Sequence, residues 1–135
     1  MQILQGRNKK QEKEVEQIML RGEIYLANMP GEVGSEQKMT RPVVIIQNNM
    51  GNKFSPCCTV VPLTGQKNKK WMPTHVVLNE TTCLSTLSTA LAEQITTVSK
   101  ERFAKYIGNV NITEMLAIEN AIMVQLGIKN KLAYA

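Results

Sequence analysis

An arginine stands where a polar loop becomes an unbroken apolar run, and it is a first candidate for chemistry. Arg41 follows the polar stretch GSEQKMT and precedes Pro42 and the apolar residues VVII. A guanidinium at a strand start most often forms a surface ion pair, which contributes little to stability. The alternative is a fixed positive charge acting on an anionic substrate, since arginine stays protonated and offers several donors in one plane. The pattern alone leaves both interpretations open.

Few other residues could do chemistry, and their types exclude several mechanisms. All eleven acidic residues are glutamates, and His75 is the one histidine. A Ser-His-Asp triad therefore lacks its aspartate, and a two-histidine ribonuclease lacks its second histidine. Two-metal nucleases and calcium loops draw on clustered carboxylates, usually aspartates. If the protein is an enzyme, we expect it to work without a metal ion or another cofactor.

The three cysteines offer a weaker chemical possibility. Cys57 and Cys58 are adjacent in a strand-like stretch, so their side chains point to opposite faces, and no pair has the C-x-x-C spacing. We expect Cys57, Cys58 and Cys83 to be reduced thiols in or near the core. A cysteine hydrolase that uses one of them with His75 remains a hypothesis, and it needs a reactive thiol beside that ring.

Length and charge bound the remaining choices. The chain has 135 residues, which suits one domain, and a formal net charge of +5. Such a basic protein suits a polyanionic partner, although a solvated basic face is the ordinary alternative. No apolar run of transmembrane length and no secretory signal pattern is present, so we expect a cytoplasmic protein with no membrane partner. Residues 1–20 read as a helical or frayed arm before a domain at 21–135.

The pattern along the chain predicts short strands followed by one helix. EIYLAN alternates, PVVIIQ reads as a strand buried on both faces, and CCTVVPLT, THVVLN and KYIGNV read as further strands. Near the end, Asn111 with Glu114 is a capping signal and Gly127 suits a C-cap. Between them lies an apolar stripe of Ile112, Met115, Leu116, Ile122, Met123 and Leu126. The fold class is therefore mostly β (α+β): a small antiparallel barrel with a C-terminal helix.

Five blocks, in order, resemble one family. They are RGEIYLANM, GSEQKMTRPVVIIQNNMGNKFSP, VVPLT, PTHVVL and LAEQITTVSKERF, and together they cover about residues 21 to 127. This combination resembles the MazF/PemK toxin endoribonucleases of type II toxin–antitoxin systems, and members from Gram-positive bacteria in particular. The resemblance implies an SH3-like barrel, a homodimer, and a partner MazE-like antitoxin whose acidic, largely disordered tail blocks the RNA groove.

The resemblance also implies a reaction and its residues. Such proteins cut single-stranded RNA at short sequences without a metal, using the RNA's own 2′-hydroxyl, and leave a 2′,3′-cyclic phosphate and a 5′-hydroxyl. The family's catalytic arginine and threonine fall on Arg41 and Thr64. The general base stays open between Glu36 and the phosphate itself. A UACAU-like motif is expected from the Gram-positive branch. The RNA contacts implied by the resemblance are Ser35, Gln37, Asn48 and Gln94.

Other interpretations accompany these residues. His75 suits a packed strand residue better than a catalyst, and Trp71 could stack a base, cover a core edge or lie in a dimer interface. A CcdB-like toxin that binds gyrase without catalysis has the same barrel fold and is the alternative function. Such proteins end on an aromatic residue for gyrase contact, whereas this chain ends in IKNKLAYA with Tyr134 as its one aromatic.

Overall fold

Seven strands and two helices make up the described part of this computed structural model, which covers residues 18–30, 39–65, 70–81 and 83–129. The first half holds β1 (Glu23–Met29), β2 (Met39–Ile45), α1 (Asn49–Phe54) and β3 (Cys57–Thr64). The second half holds β4 (His75–Val77), β5 (Thr89–Leu91), β6 (Thr96–Ser99), β7 (Phe103–Asn109) and α2 (Ile112–Leu126). Short 3-10 turns at Ala92–Gln94 and Lys100–Arg102 flank β6.

The local signals in the sequence form as expected. In α2, the Asn111 side chain accepts from the Glu114 N–H and the Glu114 carboxylate accepts from the Asn111 N–H, which is a complete capping box. Gly127 ends the helix with φ 69°, a left-handed conformation that favours glycine. Val43, Val44 and Ile45 are fully buried, so β2 is covered on both faces as predicted.

The strands form one antiparallel sheet in the order β4-β5-β3-β2-β1-β7, with β6 also pairing with β3. β3 pairs with β6 along Cys57–Val60 and with β5 along Leu63 and Thr64. Pro62 lies between these two partners, where its missing N–H interrupts neither ladder.

The predicted mostly β fold with a C-terminal helix is confirmed, but the sheet is not a closed barrel. Within the described ranges, the outermost strands β4 and β7 do not pair with each other. β4 has only three residues and offers few hydrogen bonds for closure. Helix α2 instead contacts β4 and the Ala92–Gln94 turn. The helix therefore covers the apolar surface beside this short edge strand.

Two groups of buried side chains lie on the two faces of the sheet. The first core cluster contains Met19, Tyr25, Ala27, Met29, Val43, Ile45, Cys58, Val60 and Val98, with Phe103 and Tyr106 against it. The second core cluster contains Ile24, Val44, Val61, Leu63, Leu78, Ala90, Val110, Met115 and Ile118. Successive residues of a strand thus pack into opposite clusters, and the helix packs into the second one through Met115 and Ile118.

The apolar stripe expected on α2 is only partly the buried face. Met115, Ile118 and Ala121 are buried, as is the capping Glu114, whereas Ile112 and Leu116 from the predicted stripe are mostly exposed. The predicted stripe is therefore displaced from the buried face, since it includes these exposed residues and lacks Ile118 and Ala121.

Several predictions lie outside the described residues or are not tested by them. The arm at 1–20 is described only from Ile18 onward, so the division into an arm and a domain at 21–135 stays a prediction. Ser35, Glu36, Gln37 and Tyr134 also fall outside the described ranges. Within those ranges, no helix is both long and apolar enough to span a membrane.

Candidate functional site

Arg41 is the third residue of β2, and Thr64 is the last residue of the neighbouring strand β3. β2 and β3 pair through Val43 with Pro62, Val44 with Val61 and Ile45 with Val60. The observed pairing ends at Val43 and Pro62, and continuing its register by two residues would place Arg41 opposite Thr64. Directly opposite residues of an antiparallel pair project to the same face of the sheet. Arg41 and Thr64 therefore share the face of Val43 and Pro62, at the rim of the first core cluster.

A transverse row of paired residues crosses the sheet at this level. Phe103 pairs with Ala27, and Ala27 pairs with Arg41. On the other side, Thr64 pairs with Thr89, and Thr89 pairs with Val77. Arg41 and Thr64 are half-buried, so each combines a fixed backbone with some exposure to solvent. Both residues are therefore carried by hydrogen-bonded strands of the sheet.

A second guanidinium lies close to the same end of the sheet. Arg102 donates through Nη1 to the Asn28 carbonyl at 3.2 Å. Asn28 pairs with Thr40, the residue before Arg41, and the Thr40 hydroxyl donates to the Asn28 side chain at 2.8 Å. Two cations thus flank one strand end, which favours an anionic ligand there.

The structure does not bring Asn48 to this end. Asn48 follows β2 at its opposite end, where its side chain accepts from the Gly51 N–H at 2.8 Å and caps α1. Four strand residues separate Arg41 from Ile45 alone, a span of ~13 Å at the usual rise. A substrate would have to run along the strand to contact both residues.

Gln94 ends the 3-10 turn that follows β5, and its side chain is exposed. The residue before it makes contacts that the sequence did not reveal. Glu93 accepts from His75 Nε2 at 2.9 Å and from the Thr74 hydroxyl at 3.0 Å. His75 Nδ1 in turn accepts from the Met72 N–H at 3.2 Å. We call Thr74, His75 and Glu93 the clamp, since they join the start of β4 to the turn that carries Gln94.

The clamp sets the tautomer of His75 and the ionisation of Glu93. Because Nδ1 accepts a hydrogen bond, the ring proton is on Nε2 and points at the carboxylate. Burial raises the pKa of Glu93, but the hydrogen bonds from His75, from its own backbone and from Thr74 outweigh it, and the net pKa lies below the ordinary value. His75 is buried and fully engaged, which confirms that it is a packed strand residue.

The cysteine hydrolase hypothesis finds no support in this geometry. His75 contacts Glu93 and Met72 through its two ring nitrogens, leaving neither for a thiol. Burial raises the pKa of Cys58 to about 11, which opposes thiolate formation. Among the described residues, no group of three or more histidine, cysteine or glutamate side chains could hold a metal ion.

Comparisons with known proteins define the class. A family model described as PemK-like, MazF-like toxin of type II toxin-antitoxin system matches residues 20–126. The chain belongs to this family. It is 42% identical over 112 residues to Endoribonuclease MazF of Staphylococcus saprophyticus, covering 82% of this chain and 93% of that protein. The resemblance inferred from the five sequence blocks is thereby confirmed.

Solved structures agree in fold. An endoribonuclease from a mycobacterial species superimposes with a TM-score of 0.69 at 25% identity, covering 84% of this chain and 95% of that one. A mycobacterial endoribonuclease in complex with its cognate antitoxin has the same TM-score and identity, covering 83% of this chain and 98% of that one. MazF from Deinococcus radiodurans superimposes with a TM-score of 0.68 at 19% identity, covering 82% of this chain and 97% of that one. These relatives do not favour the CcdB-like alternative.

Proposed function

We propose that this toxin is a sequence-specific endoribonuclease that cleaves single-stranded RNA by attack of the RNA's own 2′-hydroxyl, without a metal ion. The observation that supports the proposal is the antiparallel pairing of β2 with β3, whose register, continued by two residues, would place Arg41 opposite Thr64. The family membership and the 42% identical Endoribonuclease MazF support the activity. Since messenger RNA is cytoplasmic, the proposed activity implies action in the cytoplasm.

In the proposed reaction, the 2′-oxygen forms a bond to phosphorus and the bond from phosphorus to the 5′-oxygen breaks. The products are a 2′,3′-cyclic phosphate and, once the leaving oxygen takes a proton, a 5′-hydroxyl. Negative charge accumulates on the phosphoryl oxygens as the new bond forms. A planar guanidinium can donate to two such oxygens, and preorganised donors of this kind supply a large part of catalysis.

The two residues have different tasks in this proposal. Arg41 neutralises the phosphoryl oxygens, and its strand position limits the motion of its backbone. Thr64 donates its hydroxyl to the same phosphate from the facing strand. Glu36 or the phosphate itself takes the proton from the 2′-hydroxyl. We keep Ser35, Gln37, Asn48 and Gln94 as proposed RNA contacts and a UACAU-like sequence as the proposed motif.

Partners follow from the same family. We propose a homodimer and a MazE-like antitoxin whose acidic tail neutralises the basic end formed by Arg41 and Arg102. The mycobacterial relative solved with its cognate antitoxin supports this partner class. Sedimentation equilibrium of the free protein should give twice the chain mass of 15.1 kDa. A monomer mass at micromolar concentration would contradict the proposed dimer.

The test of the activity is cleavage of a long single-stranded RNA in EDTA, with mapping of both new ends. Wild type should give discrete cuts with 5′-hydroxyl ends, and Arg41→Ala should lower kcat by about 100-fold or more, as removal of one oxyanion donor does elsewhere. Lys129→Ala is the matched control, because Lys129 is an exposed lysine that follows α2 and is not among the proposed RNA contacts. Absence of cuts by the purified, antitoxin-free wild type would overturn the proposal.

A further inference from the structure

Trp71 holds a large aromatic ring in solvent. It is the one tryptophan of the chain, and 69% of it is exposed. Phe54 in α1 is exposed to the same extent, and Lys53 Nζ lies 5.3 Å from the centroid of its ring. Tyr25 instead packs against Phe103 and Tyr106, with ring centroids 5.5 and 5.6 Å apart. Burying an aromatic side chain removes 150–250 Å² from water, so an open ring forgoes a large stabilisation in the free protein.

The backbone next to Trp71 is closed into a turn. The Met72 N–H donates to His75 Nδ1 at 3.2 Å, and the His75 N–H donates to the Met72 carbonyl at 2.9 Å. These reciprocal bonds fix the residue that directly follows the tryptophan. A ring presented from a fixed backbone loses less entropy on binding than one carried by a free loop.

The same histidine connects this turn to a proposed RNA contact. His75 Nε2 donates to Glu93, and the Ala92 N–H donates to the Thr74 carbonyl at 3.0 Å. The clamp is well shielded, since the His75 side chain is 3% exposed and that of Glu93 is 18% exposed. Trp71 directly precedes Met72 and Gln94 directly follows Glu93, so each is next in the chain to a residue that hydrogen-bonds His75.

This unit stands a short distance from the proposed catalytic residues. Thr89 pairs with Thr64, and three residues later, just past the end of β5, the chain reaches Ala92, next to the clamp. Three strand residues span ~10 Å. Lys70, directly before the tryptophan in the chain, is exposed and adds a positive charge to this segment. An aromatic platform next to a cation is the chemistry that binds single-stranded nucleic acid.

We propose that Trp71 stacks on an unpaired base of the RNA substrate, and that the clamp of Thr74, His75 and Glu93 positions this ring together with Gln94. The inference rests on the proposed function and adds a base-binding position to it. Trp71 is a binding residue in this proposal, whereas His75 and Glu93 are positioning residues. Stacking on an aromatic ring tolerates any base, so Trp71 contributes affinity more than sequence choice.

The single tryptophan makes the test direct, because all tryptophan emission comes from this residue. The probe is an RNA oligonucleotide that spans a mapped cut and carries 2′-deoxyribose at the cleaved position, which prevents turnover. Binding to wild type should quench the emission saturably. Replacing successive bases of the oligonucleotide by abasic positions keeps the backbone charge, and one such change should abolish the quenching.

Three substitutions separate stacking from general apolar contact. Trp71→Ala should raise the Kd about 10- to 100-fold, in line with the loss of one stacked base. Trp71→Phe should stay within about threefold of wild type, because phenylalanine also stacks, while Trp71→Leu should resemble alanine. Circular dichroism should show that all three variants keep the fold.

The positioning role of the clamp is tested by a measurement that general destabilisation of the fold would not change. Glu93→Ala should raise KM more than it lowers kcat, and Glu93→Gln should recover most of the change. In a Trp71→Ala background, Glu93→Ala should raise KM much less than it does in wild type, since the effects of residues that act as one unit are non-additive. Full additivity of the two changes would contradict the positioning assignment.

The outcomes distinguish this inference from the proposed function. Cleavage by wild type, with unchanged emission on RNA binding and an unaltered Kd for Trp71→Ala, would overturn the stacking proposal and leave the ribonuclease intact. An emission shift on dilution without RNA, together with a monomer mass for Trp71→Ala, would place the ring in a contact between two copies and would also overturn it. Failure of wild type to cleave any RNA would instead remove the proposed function.

Discussion

At the scale of single residues, the Thr64 hydroxyl gives a sharp prediction. Valine has nearly the same shape as threonine and lacks the oxygen, so Thr64→Val should lower kcat about 100-fold through loss of one phosphate donor. Thr64→Ser keeps the hydroxyl and should retain activity within about tenfold. The measurement is single-turnover cleavage of a short RNA that contains one mapped cut. Equal activity of the valine and serine variants would show that the hydroxyl has no part in the reaction.

Glu93 carries a second prediction, on stability against pH. Its pKa is lowered from an ordinary value of 4.5, so its charged form stabilises the fold above that pH. This contribution is lost as the pH falls through the lowered pKa. Wild type should therefore exceed Glu93→Gln in free energy of unfolding by about 1 kcal/mol at neutral pH. The difference should shrink below pH about 4.5.

Urea unfolding monitored by circular dichroism, at several pH values from neutral downward, measures this difference. Glu101→Gln serves as the control, because Glu101 is an exposed glutamate and its replacement should change stability little at any pH. A gap between wild type and Glu93→Gln that stayed constant down to the lowest pH would show that the clamp does not depend on the charge.

At the scale of elements, the start of α2 is held from two directions. The Glu114 carboxylate accepts from the Asn111 N–H at 3.1 Å, from the Glu80 N–H at 3.1 Å and from the Thr81 hydroxyl at 2.7 Å. The capping box thus also fixes the chain that leads away from β4. Loss of this cap would loosen both the helix and the segment behind the edge strand.

Asn111→Ala should lower the free energy of unfolding by about 1 kcal/mol, since it removes the oxygen that accepts from the Glu114 N–H. Asn111→Ser restores a capping oxygen and should recover most of that loss. Thermal or urea unfolding of the three proteins provides the comparison. If serine and alanine were equally destabilising, the cap would have no energetic part and the loss would come from another contact of Asn111.

Elements also show where sequence reasoning succeeds and where it stops. The capping box, the Ser99 cap of the Lys100–Arg102 turn and the buried run in β2 follow from neighbours within a few residues. The clamp joins residues 18 apart, and the pairing of β2 with β3 spans a similar separation. Such contacts depend on the whole packing arrangement, which is why composition and periodicity did not reveal Glu93 as the partner of His75.

At the scale of the whole molecule, the resemblance to a known family supplied what local patterns could not. From pattern alone Arg41 was most easily explained as a surface ion pair, and Thr64 as an ordinary β-branched strand residue. The sheet order is compatible with the proposed pair, because β2 and β3, the strands that carry Arg41 and Thr64, are neighbours. No sequence pattern predicted that β4 would be a short strand at the edge of an unclosed sheet. Its length depends on its packing against α2, which is distant in the sequence.

The distribution of charge over the molecule gives the last prediction. Binding of single-stranded RNA releases counterions, so log K should fall linearly with log salt, by about 0.7 for each phosphate contacted. Arg102 lies beside the Arg41 end of β2, and Arg102→Gln should therefore reduce the slope by about 0.7. Lys53 lies past the other end of β2, in the helix that Asn48 caps. Lys53→Gln should change the slope only if the RNA runs along β2 as far as Asn48. Titrations of the uncleavable oligonucleotide at several salt concentrations would thus test the path as well as the charge. A wild-type slope near zero would show that the net charge of +5 has no part in RNA binding.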